Sequence, residues 1–84
     1  MERSIYSKKY ESLRDWLKAE RHLKPELTLR VLAEKLGVHH SILGKIEQGE
    51  RKLDVVEYVD YCEALGVDPL EGIRKIQAYK IGNH

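Results

Sequence analysis

The chain has 84 residues, a single cysteine and a formal net charge of +1 at pH 7. This length supports one domain over residues 1–84, with a core at about residues 6–80, and an all-helical bundle is the economical fold for so small a core. The lone cysteine excludes an internal disulfide, and no apolar run approaches the roughly 18 residues of a membrane span. We therefore expect a cytoplasmic protein without a secretory leader and without membrane association.

The charges are unevenly distributed along the chain. Residues 1–52 contain 12 Lys and Arg against 8 Asp and Glu, whereas residues 53–84 contain 3 against 6. A basic half beside an acidic half favours contact between the basic half and nucleic acid. The same imbalance also arises by chance in ordinary helical proteins, so it supports this interpretation without establishing it.

The first predicted helix covers residues 7–21 and is recognised by the spacing of its apolar residues. The face of this helix that is expected to be buried consists of Tyr6, Tyr10, Leu13 and Leu17, with Trp16 beside it. Pro25 cannot continue a helix, so residues 22–27 are expected to connect this helix to the next one.

Two short helices joined by a tight turn are predicted within residues 28–49. The first helix begins after Thr28, whose hydroxyl can accept a backbone N–H, and ends at Gly37, which tolerates a left-handed conformation. Its inward face consists of Leu29, Leu32, Ala33 and Leu36. Leu43 and Ile46 resume the helical spacing and predict a second helix over residues 39–48. This spacing is typical of a helix-turn-helix.

Two more helices are predicted after this motif, which gives five in all. The fourth begins at the capping box of Asp54 and Glu57 and ends at Gly66. Its predicted buried face is Val55, Val59, Cys62 and Leu65. The fifth begins at Asp68 and Pro69, is predicted to direct Leu70, Ile73 and Ile76 inward, and is expected to fray near Gly82.

Residues 29–49 resemble the helix-turn-helix of the Cro and phage-repressor type, also called the xenobiotic response element family. The resemblance rests on Leu32, Ala33, Leu36, Gly37, Val38, Leu43 and Ile46, and on the sequence IEQGER at residues 46–51, and it extends over about residues 13–76. It implies an all-α, lambda-repressor-like five-helix fold. It also implies a transcriptional regulator, more often a repressor, that binds an operator in double-stranded DNA.

The sequence departs from this family at three places. Many members have glutamine where this chain has Leu29, and that glutamine contacts a phosphate and braces the recognition helix. The second helix opens on His39 and His40 where relatives have serine, threonine or proline, and the segment RHLKPEL before Thr28 is a few residues longer than usual.

Candidate base contacts lie on the face of the second helix opposite Leu43 and Ile46. By motif position they are His40, Ser41, Gly44 and Lys45. A lysine can donate to guanine O6 and N7, a histidine can donate to an acceptor, and a serine can serve in either sense. A glycine inside a helix costs about 1 kcal/mol relative to alanine. Gly44 therefore indicates close approach of DNA or of another helix, unless it is simply a tolerated surface glycine.

Candidate phosphate contacts flank this helix, together with the backbone N–H groups at the start of each motif helix. They are Thr28, Arg30, His39, Gln48, Arg51 and Lys52. For Arg30 a solvated helix face is an equally good explanation. The resemblance implies that Glu47 has a structural role, in an intramolecular pairing that fixes the exit of the recognition helix.

Enzymatic and metal-binding functions are poorly supported, and we expect no catalytic residue, no metal and no cofactor. His39 and His40 are adjacent and project about 100° apart on a helix, so they do not converge on one ion, and only His22, His84 and Cys62 could complete such a site. Cys62 occupies a predicted buried position, where a small apolar residue is needed.

A homodimer on a palindromic operator is the expected partner arrangement, because one small module offers a limited DNA interface. A self-association patch is available in Tyr58, Tyr61, Ile76, Tyr79 and Ile81, although these residues can equally belong to the core. One alternative is an antitoxin-like module that binds a protein partner and DNA only secondarily. Another is a helical domain that has lost DNA binding, for which Leu29 and the low net charge argue.

Overall fold

Five α-helices and no strand make up residues 7–78, the part of the chain described by this computed structural model. They are α1 (Lys8–His22), α2 (Leu29–Leu36), α3 (His40–Glu47), α4 (Val55–Leu65) and α5 (Pro69–Ala78). The predicted all-α fold with five helices is confirmed. Within the described part, none of the helices has the length and hydrophobicity needed to span a bilayer. The predictions for Tyr6, Tyr79, Ile81, Gly82 and His84 concern residues outside the described range.

The ends of α2 and the start of α4 follow the predicted capping residues. The Thr28 hydroxyl accepts the Val31 N–H at 3.2 Å, and Gly37 closes α2 with a left-handed φ of 71°. At the start of α4, Asp54 and Glu57 form the reciprocal capping box, with donor–acceptor distances of 2.8 and 3.0 Å. These caps satisfy backbone groups that have no partner inside the helix, so they set where each helix begins or ends.

The core is a single cluster of buried side chains to which all helices but α5 contribute. Its members are Leu13, Trp16, Leu17, Leu27, Leu32, Ala33, Leu43, Ile46, Tyr58, Tyr61, Cys62 and Leu65. The stripe predicted for α1 is therefore confirmed over the described residues, with Tyr10 half-buried at its end. The Tyr10 hydroxyl accepts the Leu53 N–H at 3.1 Å, which fixes the start of α1 against the segment that leads into α4.

The predicted buried face of α4 is wrong in part. Val55 is 77% exposed and Val59 is also exposed, whereas Tyr58 and Tyr61 are buried beside Cys62 and Leu65. Two apolar stripes at helical spacing overlap on this helix, and the tyrosines bury the larger area. Tyr58 and Tyr61 thus belong to the core and are not available as an association patch.

The predicted inward face of α5 is also wrong in part. Leu70 is 57% exposed and Ile73 is exposed as well, while Ile76 is half-buried against the core. The fully buried residue of this helix is Gly72. The backbone of α5, and not a row of large side chains, therefore makes the closest contact with the rest of the molecule.

Gly72 is needed because α5 crosses α1 and α4 at this residue. A Cβ atom here would lie 2.7 Å from Cζ3 of Trp16 and 2.8 Å from Cδ1 of Leu13, and would also overlap the Tyr58 hydroxyl. That hydroxyl donates to the Pro69 carbonyl at 2.5 Å and so ties the start of α5 to α4. The side chains of Trp16, Leu13 and Tyr58 leave no room for a side chain at this crossing.

Gly72→Ala is expected to lower the free energy of unfolding by about 1–3 kcal/mol, because its methyl group would force Trp16, Leu13 or Tyr58 out of position. The measurement is equilibrium urea denaturation. Gly44→Ala is the matched control, since no heavy atom lies within 4 Å of the Cβ position there. Alanine at residue 44 should stabilise by up to about 1 kcal/mol. Equal effects of the two substitutions would contradict the crossing described here.

Candidate nucleic-acid interface

The turn between α2 and α3 is held together by four buried side chains. Leu32 and Ala33 of α2 pack with Leu43 and Ile46 of α3 in the core, and each is less than 4% exposed. The Val38 N–H donates to the Ala33 carbonyl at 3.0 Å across the left-handed Gly37. This geometry is that of a helix-turn-helix, with α3 in the position of the recognition helix.

The outer face of α3 consists of the predicted base-contacting residues. Ser41 and Lys45 are exposed, and His40 and Gly44 are half-buried. Nothing packs over Gly44, so contact with another helix of this chain does not account for it. Gln48, the residue that ends α3, is exposed next to this row. Residues 40–48 thus present a polar surface to solvent along one side of α3.

His39, predicted as a phosphate contact, is the N-terminal cap of α3. Its ring Nδ1 accepts the Ser41 N–H at 3.1 Å and lies 2.9 Å from the Ser41 hydroxyl oxygen. The ring also stacks on the ring of His40, with 4.5 Å between centroids. Nδ1 therefore contacts another residue of the protein, while the side chain as a whole is exposed to solvent.

An open groove with a predominantly basic lining lies at the start of α2. It is lined by Arg21, His22, Lys24, Pro25, Leu27, Thr28, Leu29, Arg30 and His40. The groove combines cationic side chains with the free N–H groups of a helix N-terminus, an arrangement that attracts anions. It brings the predicted contacts Thr28 and Arg30 next to His40. Leu29 packs against the core from the same wall and offers no polar group.

The pKa of His40 lies below the usual histidine value. Partial desolvation is the main cause, followed by the positive charge of Arg30 and the neighbouring His39. Because the shift is downward, the imidazole is mostly neutral at pH 7, and a neutral ring offers one donor and one acceptor. His40 can therefore make a hydrogen bond of either sense at the edge of the groove.

Glu47 makes the intramolecular pair that the resemblance implied. Its carboxylate receives hydrogen bonds from Nε of Arg21 at 2.6 Å and from Nη2 at 3.1 Å. The side chains of Arg21 and Glu47 are only 13% and 9% exposed, and the carboxylate raises the pKa of the guanidinium by hydrogen bonding and charge. Arg21 also donates to the Leu27 carbonyl at 3.0 Å. One side chain of α1 therefore fixes both α3 and the segment before α2.

Sequence reasoning did not find Arg21 as the partner of Glu47. The two residues are separated by 26 positions, and nothing in the local pattern distinguishes Arg21 from the other basic residues of α1. Lys24 was missed for the same reason. Its ammonium group donates to the Leu65 carbonyl at the end of α4, which connects the segment before α2 to α4.

The predicted phosphate contacts Arg51 and Lys52 follow α3 and both interact within the protein. Arg51 pairs with Glu57 at 2.9 Å, and this pairing lowers the pKa of the Glu57 carboxyl. The Lys52 ammonium lies 5.6 Å from the centroid of the Tyr10 ring, within the range of a cation–π contact. Arg51 keeps 41% of its side chain exposed and Lys52 is exposed, so both remain accessible to an anion.

The described residues support neither a metal site nor a nucleophilic cysteine. Among residues 7–78 no three His, Cys, Asp or Glu side chains are grouped so that they could hold an ion. Cys62 is completely buried, and burial raises the pKa of its thiol, which keeps it in the unreactive protonated form.

Comparison with known proteins agrees with this geometry. A helix-turn-helix family model matches residues 17–71. A solved structure described as an XRE-family like protein from Pseudomonas syringae pv. tomato str. DC3000 is 37% identical, with 83% of this chain and 84% of that chain covered. The two structures superpose with a TM-score of 0.77. Among curated proteins none matches significantly.

The Arg21 and Glu47 side chains are expected to be strongly coupled in a double-mutant cycle with Arg21→Ala and Glu47→Ala. Each single variant leaves a mostly buried charge without its partner, so the coupling energy should be about 1–3 kcal/mol. Chemical denaturation of the four proteins gives this value. The exposed pair Lys8 and Glu11, at 3.8 Å, is the control and should couple by less than about 0.5 kcal/mol. Equal coupling in both cycles would contradict the structural role of Glu47.

Proposed function

This chain belongs to the Cro/C1-type, or XRE, family of helix-turn-helix DNA-binding domains, and we propose that it is a sequence-specific transcriptional regulator. In this proposal α3 enters the major groove of double-stranded DNA, and the protein acts as a repressor at a palindromic operator. The observation that carries the proposal is the polar outer row of α3, which is held at a fixed angle by the pair between Arg21 and Glu47.

Base reading is assigned to the exposed row of α3. Lys45 has a long, exposed side chain that can donate to guanine O6 and N7. Ser41 offers an exposed hydroxyl, and the neutral ring of His40 offers one donor and one acceptor. Gly44 lies between Ser41 and Lys45 in the row, and the space over its Cα allows a base pair or a sugar to approach the helix backbone.

Phosphate binding is assigned to the two ends of the motif. At one end lie Thr28, Arg30 and the first N–H groups of α2, in the basic groove. At the other end lie Gln48, Arg51 and Lys52, which follow the exit of α3. Such contacts set the register of the protein on the duplex and do not distinguish sequences. His39 belongs to this set through Nε2, because its Nδ1 caps α3 and its side chain is exposed.

The proposal is tested by selecting bound duplexes from a random library and then titrating the enriched sequence with variants. Lys45→Ala should cost about 1–3 kcal/mol of binding free energy and relax the preference at one base pair. Arg30→Ala should weaken binding to all DNA sequences to a similar extent. It should also reduce the magnitude of the slope of log affinity against log salt concentration by about 1. Lys18→Ala, which removes an exposed lysine of α1, is the control and should change neither quantity.

A folded protein that enriches no duplex would overturn the assignment of sequence-specific binding. Enrichment of single half-sites without a two-fold repeat would contradict the palindromic operator alone. Equal losses in the Lys45→Ala and Lys18→Ala variants would show that α3 does not face the DNA.

The homodimer requires a self-complementary surface, which we assign to the exposed apolar residues of α4 and α5. They are Val55, Val56, Val59, Leu70 and Ile73. The charges around them favour a second copy as the occupant. The sequence of α4 contains acidic residues and no Lys or Arg, whereas α5 has Arg74 and Lys75 exposed near its end. A two-fold arrangement would set α4 of each copy against α5 of the other.

Val56→Lys is expected to shift the protein from dimer to monomer, because it places a charge inside the apolar contact. Sedimentation equilibrium over a range of protein concentrations measures the change. Val56 is mostly exposed, so thermal stability measured on the monomer should be nearly unaffected. Leu23→Lys is the control, since Leu23 is an equally exposed apolar residue at the end of α1. An unchanged mass distribution of the Val56→Lys variant would contradict this assignment.

A further inference from the structure

We propose that His39 is a specificity-determining positioning residue: its ring decides whether the Ser41 hydroxyl acts as a donor or as an acceptor toward DNA, and protonation reverses that sense. The inference rests on the proposed function, because it concerns how α3 reads a base. It goes further by assigning a role to a side chain whose ring does not need to contact the DNA.

The geometry determines which atom is the donor in the contacts between His39 and Ser41. The Ser41 N–H can only donate, and it points at Nδ1 of His39 at 3.1 Å. Nδ1 must therefore carry a lone pair, which places the ring proton of the neutral imidazole on Nε2. The Ser41 hydroxyl lies 2.9 Å from the same Nδ1 atom, so in this tautomer the hydroxyl is the donor and shares the Nδ1 lone pair with the Ser41 N–H. With its hydrogen directed at His39, the Ser41 oxygen presents only lone pairs to solvent.

Protonation of His39 reverses this arrangement. Histidine is the side chain that ordinarily changes charge between pH 5 and 8. Once Nδ1 carries a hydrogen, it donates to the Ser41 oxygen, and the hydroxyl hydrogen becomes free to donate outward. The neutral form therefore suits the amino group of cytosine, and the protonated form suits acceptors such as guanine O6 and N7 or thymine O4, whereas adenine offers both an amino donor and the N7 acceptor.

The charged groups near the two histidines are basic, apart from the Glu47 carboxylate that pairs with Arg21. The His39 ring stacks on His40, and His40 lines the groove that also contains Arg21, His22, Lys24 and Arg30.

The first test is made on the free full-length chain by nitrogen-15 NMR of the imidazole rings. At pH 8 the His39 ring should be the tautomer protonated at Nε2, because Nδ1 accepts from Ser41. The Ser41 amide resonance should shift as the His39 ring titrates, since protonation removes the acceptor of its hydrogen bond. A neutral His39 ring protonated at Nδ1 would overturn the inference without any reference to DNA.

The second test compares base preference at pH 8 and pH 5.8 on the selected duplex. The base pair read by Ser41 is the one at which Ser41→Ala loses its preference. At that position the ratio of the affinity for cytosine to the affinity for guanine or thymine should fall by about threefold to tenfold on acidification, which corresponds to the free energy of one neutral hydrogen bond. His39→Asn keeps a capping oxygen that does not titrate, so its ratio should stay constant.

His22→Asn is the matched control, because it removes another exposed histidine to which no base or phosphate contact is assigned. It should retain the change in ratio. A His39→Asn variant whose ratio still changes with pH would overturn the inference while leaving the proposed function intact. Failure of the wild-type protein to bind any duplex at either pH would overturn the proposed function and this inference together.

Discussion

The bidentate pair between Arg21 and Glu47 is the contact on which the orientation of α3 depends. α3 is only eight residues long, and Leu43 and Ile46 hold it by apolar packing, which has little directionality. Glu47 lies at the negative end of the α3 dipole, where an acidic residue is unfavourable without a cation beside it. Arg21 supplies that cation from the last turn of α1, where a positive charge is itself favourable. Two parallel hydrogen bonds then fix the angle as well as the distance.

The same arginine also holds the segment before α2. Arg21 donates to the Leu27 carbonyl, and Lys24 donates to the Leu65 carbonyl at the end of α4. Residues 22–28 are thus tied to both α1 and α4, and Leu27 is buried in the core. Residues of this segment line the basic groove at the start of α2, where Leu29 packs against the core.

The packing of α4 and α5 shows that helical spacing of apolar residues does not by itself predict which of them are buried. On α4 the stripe of Val55 and Val59 and the stripe of Tyr58 and Tyr61 fit helical spacing equally well. The tyrosines are buried because their rings reach α5 and the Arg21 region, and the Tyr58 hydroxyl also finds a carbonyl partner. On α5 the large residues Leu70 and Ile73 are exposed because Gly72 permits the close crossing with Trp16. A pattern that counts only large apolar residues cannot identify a buried glycine.

The sequence by itself determined the five helices, the caps of α2 and α4 and the helix-turn-helix, because each depends on residues within a few positions of one another. Thr28, Gly37 and the pair Asp54 and Glu57 act through the backbone of their own helix, so spacing suffices to find them. The outer row of α3 follows in the same way from the positions of Leu43 and Ile46. The tertiary structure alone decided the partners of Glu47 and Lys24, the buried faces of α4 and α5, and the engagement of Arg51 by Glu57. Most of these contacts join residues distant in sequence, and all depend on how side chains pack once the chain has folded.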